Sequence, residues 1–239
     1  GEDRAEHQFT TQGEMEAFIQ KLDDANDNMY VYSMGTSGRG QDMPLVVFTK
    51  IDLTGKSLEE AAALIVADSE RTGKLTGHHQ AQMHGNEQAA GEAALGLIQR
   101  LDSAYGAEVL DSLNVYVMPR INPDGAEDNL RRIPTWGLKD PNSDMIQLET
   151  VEMQNVMRAM NLLQPHVFID NHEGNVAVDS ASVSSGYFLV NPSYNTQSNE
   201  DFRQLGLTIV QQAFRNLEEK GFAYRYIDNI VTSKNMGVG

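Results

Sequence analysis

The sequence contains no cysteine among its 239 residues. This absence excludes disulfide-stapled scaffolds, thiol nucleophiles and cysteine-bound metal clusters. Any metal ion must therefore be held by histidine, aspartate and glutamate side chains. Since a cysteine-free chain is stable under oxidising and reducing conditions alike, the composition leaves the redox compartment open.

Long hydrophobic runs and positive charge are also scarce. No apolar run approaches the roughly 18 residues of a membrane helix, so we expect no membrane span. The chain carries 18 Lys and Arg residues against 34 Asp and Glu residues, a formal net charge of −16. Because a field of that sign repels phosphate backbones, we expect no nucleic-acid partner. The remaining composition, 40% hydrophobic and 22% charged, is typical of a globular protein.

No repeat, low-complexity tract or linker divides the chain, so residues 1–239 are predicted to form a single domain. The sequence starts at Gly1 without a methionine, which fits a processed start from which any signal peptide has been removed. Residues 234–239 resemble neither a helix end nor a closing strand. We therefore expect the domain to be truncated at its C-terminal end.

Short apolar strands alternate with amphipathic helices along the chain. The predicted strands cover residues 29–34, 44–50, 75–83, 113–118 and 167–170. The predicted helices cover residues 13–22, 57–68, 86–101, 153–163 and 200–220. The strand at 167–170 is expected to be buried on both faces, and the last helix to bury Phe202, Leu205 and Ile209. This order predicts an α/β fold, a three-layer α/β/α arrangement with a mixed, mostly parallel sheet.

Two of these strands lead into histidines, and ligands in such sheets gather at the carboxyl ends of the strands. His84-Gly-Asn-Glu87 lies where the third strand turns into a helix, and His172 follows the fifth strand. Two imidazoles and one carboxylate are a typical catalytic zinc set with a fourth position for water. The sequence thus predicts one zinc ion per chain, bound by His84, Glu87 and His172.

Several further motifs occur in a fixed order around these residues: Gly35-Thr-Ser-Gly-Arg-Gly40, Asn122-Pro-Asp-Gly125, Asp140-Pro-Asn142 and Asp170-Asn-His172-Glu173. Together with His84-Gly-Asn-Glu87 they resemble the zinc carboxypeptidases, the M14 metallopeptidases of the carboxypeptidase A type. The resemblance covers about residues 30–175. It implies that His84, Glu87 and His172 are the zinc ligands and that Asp140 orients the first ligand histidine.

The resemblance also implies roles in substrate binding. Arg131 lies near the family arginine that stabilises the oxyanion of the tetrahedral intermediate, and Arg132 is its close rival. Asn142 matches the asparagine that holds the terminal carboxylate of the substrate, with Arg132 as a further substrate-binding residue. The substrate implied is a peptide or an acylated amino acid. The oligomeric state is left open.

Two departures from the family pattern affect this prediction. Ser143 stands where the family has an arginine that clamps the C-terminal carboxylate, so another cation, Arg120 or Arg132, or another substrate is implied. The family's general base is a glutamate on a late strand. Glu173 should point to the other side of its strand, and the glutamates after it lie on the predicted last helix. We therefore expect the base to lie beyond Gly239.

The predicted function is zinc-dependent hydrolysis of peptide or amide bonds. One alternative is a same-fold amidohydrolase or deacylase acting on acylated amino acids or murein-type peptides. The other is a metal-binding or peptide-binding module without turnover, since neither the base nor the carboxylate clamp is recognised in the sequence. The family resemblance favours a periplasmic or secreted protein.

Overall fold

The computed structural model describes residues 9–173, 188–189, 199–221 and 224–225. The internal contacts of the chain divide it into two compact units, Gly1–Glu173 and Gly174–Gly239. A single catalytic domain over residues 1–239 stays a prediction. Within the described ranges, no helix has both the length and the apolar character needed to cross a bilayer.

A five-stranded mixed sheet forms the centre of the first unit. Its strands are β1 (Met29–Thr36), β2 (Asp42–Phe48), β3 (Leu75–Ala81), β4 (Leu113–Met118) and β5 (Val167–Asn171). The strand order is β1-β2-β4-β3-β5. β2 is antiparallel to β1 and to β4, whereas β3 is parallel to both β4 and β5.

Helices connect these strands. In the first unit they are α1 (Gln12–Asp23), α2 (Leu58–Thr72), α3 (Gln88–Leu101), α4 (Ala104–Val109), α5 (Pro123–Glu127), α6 (Pro141–Gln147) and α7 (Val151–Leu163). A 3₁₀ turn covers Pro134–Trp136. In the second unit, the described elements are β6 (Phe188–Leu189), α8 (Glu200–Glu219) and β7 (Tyr224–Arg225), and β6 pairs with β7 in parallel.

Two hydrophobic cores lie on opposite faces of the five-stranded sheet. On one face, side chains of α2 and α7 such as Ile65 and Val156 pack with Tyr116 of β4. On the other face, side chains of α1 and α3 such as Ile19 and Ile98 pack with the strand side chains that point to that face. The predicted α/β class, with helices on a mixed sheet, is confirmed.

Local signals in the sequence account for several element boundaries. Ser57 caps α2 in a reciprocal capping box with Glu60, and Gly73 ends the helix in the left-handed region at φ 75°. The apolar run at 113–118 is strand β4 at its predicted bounds. Helix α7 ends before Pro165, as the position of that proline predicts.

Two predictions of burial are wrong. Strand β5 lies at an edge of the five-stranded sheet, where Phe168 is 42% exposed and Ile169 is 47% exposed. In α8 the predicted inward residues Phe202, Leu205 and Ile209 are exposed as well, although the helix itself and Gly221 after it are found as predicted. Helical or strand spacing gives the direction of an apolar stripe, but it does not supply the partner that would cover the stripe.

The buried His78 of β3 makes stability depend on pH. The ring stacks on Phe168 with centroids 5.2 Å apart, and burial lowers the pKa of His78 to about 4. The charges nearest to it partly offset each other, since Asp170 raises this pKa and His79 lowers it. Unfolded histidine has a pKa near 6.5. The neutral ring therefore contributes its full stabilisation above about pH 6.5, and this contribution is lost progressively as the pH falls from about 6.5 to about 4.

We expect His78→Phe to flatten the pH dependence of unfolding. Between pH 7 and pH 5 the wild type should lose about 2 kcal/mol of stability that the variant retains, because phenylalanine needs no proton on unfolding. Urea unfolding at both pH values measures this difference. Parallel pH profiles for the two proteins would show that His78 is not the group responsible.

Candidate metal centre

Sheet topology brings the two predicted ligand histidines to one edge of the sheet. β3 and β5 are parallel neighbours, and Ala81 at the end of β3 pairs with Asn171 at the end of β5. His84 lies three residues after the end of β3, and His172 directly follows the end of β5. Because parallel strands end at the same edge, both imidazoles lie in one place.

The three predicted ligands meet there with their donor atoms converging. The Nδ1 of His84 lies 2.8 Å from Oε1 of Glu87, and the Nδ1 of His172 lies 2.8 Å from Oε2 of the same carboxylate. The two Nδ1 atoms are 3.1 Å apart. The side chains of His84 and Glu87 are buried, whereas that of His172 is 33% exposed. The site is thus built into the protein but open to solvent on the His172 side.

Hydrogen bonding controls the protonation of two of these donors. Burial alone would raise the pKa of Glu87, but hydrogen bonds from His172 and His84 outweigh it and lower this pKa to about 2. Burial alone would lower the pKa of His172, but hydrogen bonds to Asp170 and Glu87 raise it to about 10. Glu87 is therefore a carboxylate, and the site favours positive charge on His172. A metal ion would replace the proton on Nδ1 of His172.

The donor set fits zinc. His84, Glu87 and His172 each offer one ligand atom, and these atoms all lie within 4.8 Å of one another. Two imidazole nitrogens facing each other across 3.1 Å require a proton or a cation between them, since two lone pairs repel. Two nitrogens and one carboxylate oxygen are ligands that zinc accepts in sites with an open position for water.

Arg131, and not Arg132, reaches this centre. The Nη1 of Arg131 lies 2.7 Å from Oε1 of Glu87, and its carbonyl accepts a hydrogen bond from the backbone N–H of Gly85. The Nη1 of Arg132 lies 3.5 Å from the carbonyl oxygen of Leu138 on the protein surface. Of the two rival arginines, Arg131 therefore has its charge beside the metal ligands.

The outer ring nitrogen of His84 faces helix α6. Oδ1 of Asp140 lies 3.4 Å from His84 Nε2, and the side-chain amide of Asn142 lies 3.2 Å from the same nitrogen. The hydroxyl of Ser143 donates to the backbone carbonyl of Asp140. Both side chains thus lie within 3.4 Å of His84 Nε2, and the roles of Asp140 in orienting His84 and of Asn142 in binding substrate stay predictions.

The other ordered motifs form the support of the site. Ser37 Oγ lies 2.6 Å from Asp124 Oδ1, so the glycine-rich loop at 35–40 is bound to the short helix α5. Asn122 caps this helix, and its side chain accepts from the N–H of Gly125. Helix α5 packs against Gly85, which lies between the predicted ligands His84 and Glu87. Each motif thus holds the next one in place.

Arg120 is part of this support and is not a free cation. Its guanidinium is buried, with Nε donating to Oε1 of Gln82 over 2.6 Å and Nη2 donating to the carbonyl of Thr10. Gln82 in turn donates to the carbonyl of Gly85. The prediction that Arg120 could replace the missing carboxylate clamp is wrong, because its donors are already used inside the protein.

Sequence reasoning missed two residues that contact the site or its loop. Gln82 has a positive φ of 53°, a conformation that sequence patterns predict mainly for glycine. Asp170 lies two residues before His172, and its Oδ2 is 3.0 Å from Nε2 of that ring. Since strand side chains alternate between faces, the spacing of two was the signal that could have identified Asp170.

Comparisons with known proteins identify the family of the chain. The sequence model of the Peptidase_M14 family, described as zinc carboxypeptidase, matches residues 15–145. Carboxypeptidase 2 of Trichophyton rubrum is 24% identical over 214 residues, which cover 88% of this chain and 36% of that protein. Carboxypeptidase M of Mus musculus is 29% identical over 119 residues, covering 47% of this chain and 24% of that protein. The chain spans about a third or less of the length of these relatives.

Solved structures share the fold. Carboxypeptidase A from Helicoverpa armigera has a TM-score of 0.66 at 14% identity and covers 92% of this chain and 57% of its own. A metallo-carboxypeptidase from Burkholderia cenocepacia has a TM-score of 0.63 at 18% identity and covers 90% of this chain and 51% of its own. At such identities these similarities establish the fold alone. With the family match over more than half of its residues, the chain belongs to the Peptidase_M14 zinc carboxypeptidase family.

Proposed function

We propose that the protein is a zinc-dependent hydrolase of peptide or amide bonds. The observation that carries this proposal is the convergence of His84, Glu87 and His172 on one point at the sheet edge. Family membership alone would not suffice, because a fold can keep its shape after its chemistry is lost. The proposal is supported here by the donor atoms of these three side chains, which lie close enough together to hold one cation.

The residues around that position have separate tasks. Zinc, when bound, supplies a Lewis acid that polarises a carbonyl and lowers the pKa of a bound water. Arg131 provides a fixed positive charge beside Glu87, where it can stabilise negative charge that develops on the oxygen of an attacked carbonyl. Asp140 and Asn142 hold His84 in the orientation that directs Nδ1 at the metal position.

Glu173 is not proposed as the general base. Its Oε1 accepts a hydrogen bond from the backbone N–H of Ala90 over 3.0 Å, in the first turn of α3. A carboxylate in this position satisfies a free helix N–H and complements the helix dipole. Although Glu173 follows His172 directly, its side chain is therefore bound to the first turn of α3.

The absence of an arginine at position 143 leaves two substrate classes in the proposal. Ser143 cannot form the bidentate contact with a carboxylate that a guanidinium forms, and its hydroxyl is already bonded to Asp140. Peptides with a free C-terminus are the first class, on the strength of the carboxypeptidase relatives. Acylated amino acids and murein-type peptides are the second, and Ser143 is the observation that favours them.

The family resemblance further leads us to propose that the protein works in the periplasm or outside the cell. In both compartments a cysteine-free chain has no thiol to oxidise.

The test is a product assay on the zinc-loaded natural polypeptide. Matched peptides with free and amidated C-termini, an acylated amino acid and a murein-type peptide are incubated with the protein, and mass spectrometry identifies each released product. We expect cleavage that a chelator abolishes and that added zinc restores. Exclusive cleavage of free C-termini would support a carboxypeptidase, whereas cleavage of the other substrates would support the second class. Zinc-loaded protein that releases nothing beyond the level of His84→Ala would contradict the hydrolase proposal.

A further inference from the structure

The ring of His172 is held from both sides. Its Nδ1 faces Glu87 and His84 at the metal position, and its Nε2 lies 3.0 Å from Oδ2 of Asp170. A carboxylate oxygen accepts hydrogen bonds, so the N–H at Nε2 is the donor of this one. A ring whose Nε2 carries the proton presents the lone pair of Nδ1 to a metal ion.

Asp170 is itself fixed by the sheet. It lies on β5, directly opposite Gln80 of the parallel neighbour β3. Two residues further along the same strand direction, His172 extends from the same face, because strand side chains alternate. The carboxylate therefore lies on a regular strand, and the imidazole belongs to the residue that directly follows the last residue of that strand.

The bond between Asp170 and His172 is shorter than the corresponding bond at the first histidine. Asp140 lies 3.4 Å from Nε2 of His84, at the limit of a hydrogen bond, whereas Asp170 lies 3.0 Å from Nε2 of His172. His84 is fully enclosed by its surroundings, but the side chain of His172 is 33% exposed. Packing fixes the first ring, so the more exposed second ring depends more strongly on a hydrogen-bond partner.

We propose that Asp170 is a positioning residue of the metal centre, which accepts the Nε2–H of His172 and thereby directs Nδ1 at the metal. This inference rests on the proposed zinc site and adds a residue to it. Partners of this kind typically change metal affinity by about 10-fold to 100-fold. Because the side chain of Asp170 is partly exposed, the lower end of that range is expected.

The test compares Asp170→Ala and Asp170→Asn with the wild type by competition for zinc against a chelating dye. Alanine should weaken zinc binding about tenfold, because the ring loses its acceptor. Asparagine should weaken it less, since its amide oxygen can still accept from Nε2–H. Asp111→Ala is the matched control. Asp111 lies just before β4, at the opposite end of the strands from the metal centre, and its exposed carboxylate pairs with Lys50. Its replacement should leave zinc affinity unchanged.

A second readout separates positioning from a general structural effect. The Nε2–H proton of His172, observed by NMR of histidine-labelled protein, should be protected from solvent exchange in the wild type and in Asp170→Asn but not in Asp170→Ala. Zinc affinity of Asp170→Ala within twofold of the wild type, or an unchanged Nε2–H signal, would overturn the proposal. Wild-type protein that binds no zinc would contradict the proposed function, while the NMR signal would still decide whether Asp170 holds the ring.

Discussion

Replacement of either ligand histidine by alanine is expected to abolish zinc binding. The wild type should bind about one zinc ion per chain through His84, Glu87 and His172, whose donor atoms lie within 4.8 Å of one another. Loss of an outer hydrogen-bond partner alone costs about 10-fold to 100-fold in metal affinity, so loss of a ligand should exceed a hundredfold. After dialysis, both His84→Ala and His172→Ala should therefore contain almost no zinc.

Elemental analysis of the purified proteins measures this effect, and circular dichroism checks that each variant is folded. His166→Ala is the matched control: that histidine accepts from the backbone N–H of Thr76 at the amino end of β3, away from the centre. It should keep the zinc content of the wild type. Folded variants of His84 and His172 with wild-type zinc content would show that the ion, if any, is bound elsewhere.

The sequence was most informative where a local pattern coincided with a strand end. The spacing of His84 and Glu87 at a strand-to-helix turn, and His172 after a second strand, predicted the three residues that the structure brings together. Spacing could not choose between Arg131 and Arg132, because the choice depends on which side chain the loop turns towards Glu87. The spacing of His84 and Glu87 is a local signal, whereas the direction of an arginine side chain in an irregular loop is not.

Element positions were predicted well for the same reason, and burial was predicted less well. The capping box at Ser57 and the apolar run of β4 are local signals, and both elements form where the patterns place them. The exposure of Phe168 and Phe202 depends on which other segment covers them, and no pattern in their own segments contains that information. The polar strand β3 was equally hard to interpret, because His78 and Gln80 are buried despite their polarity.

Gly85 lies between the predicted ligands His84 and Glu87, and the packing of the fold around it directly affects the site. A Cβ added at Gly85 would lie 2.0 Å from the carbonyl carbon of Gly125 and 2.3 Å from the backbone nitrogen of Ala126. Both are backbone atoms of helix α5, and that helix is held in place by its own hydrogen bonds. A flexible side chain could move aside, but this backbone cannot do so without displacing the ligand loop.

We therefore expect Gly85→Ala to destabilise the protein by about 3 kcal/mol, the upper end of the usual cost of overpacking. Gly96→Ala is the matched control, since that exposed position in α3 has nothing within 4 Å of an added Cβ and should gain about 0.5–1 kcal/mol from higher helix propensity. Urea unfolding of the two variants measures the contrast. Zinc affinity should fall with Gly85→Ala alone, because the loop that spans His84 to Glu87 must shift to make room for the methyl group. Equal stability of both variants would mean that the loop at Gly85 can move away from the backbone of Gly125 and Ala126 at no cost. The ordered motifs would then not act as one support for the metal ligands.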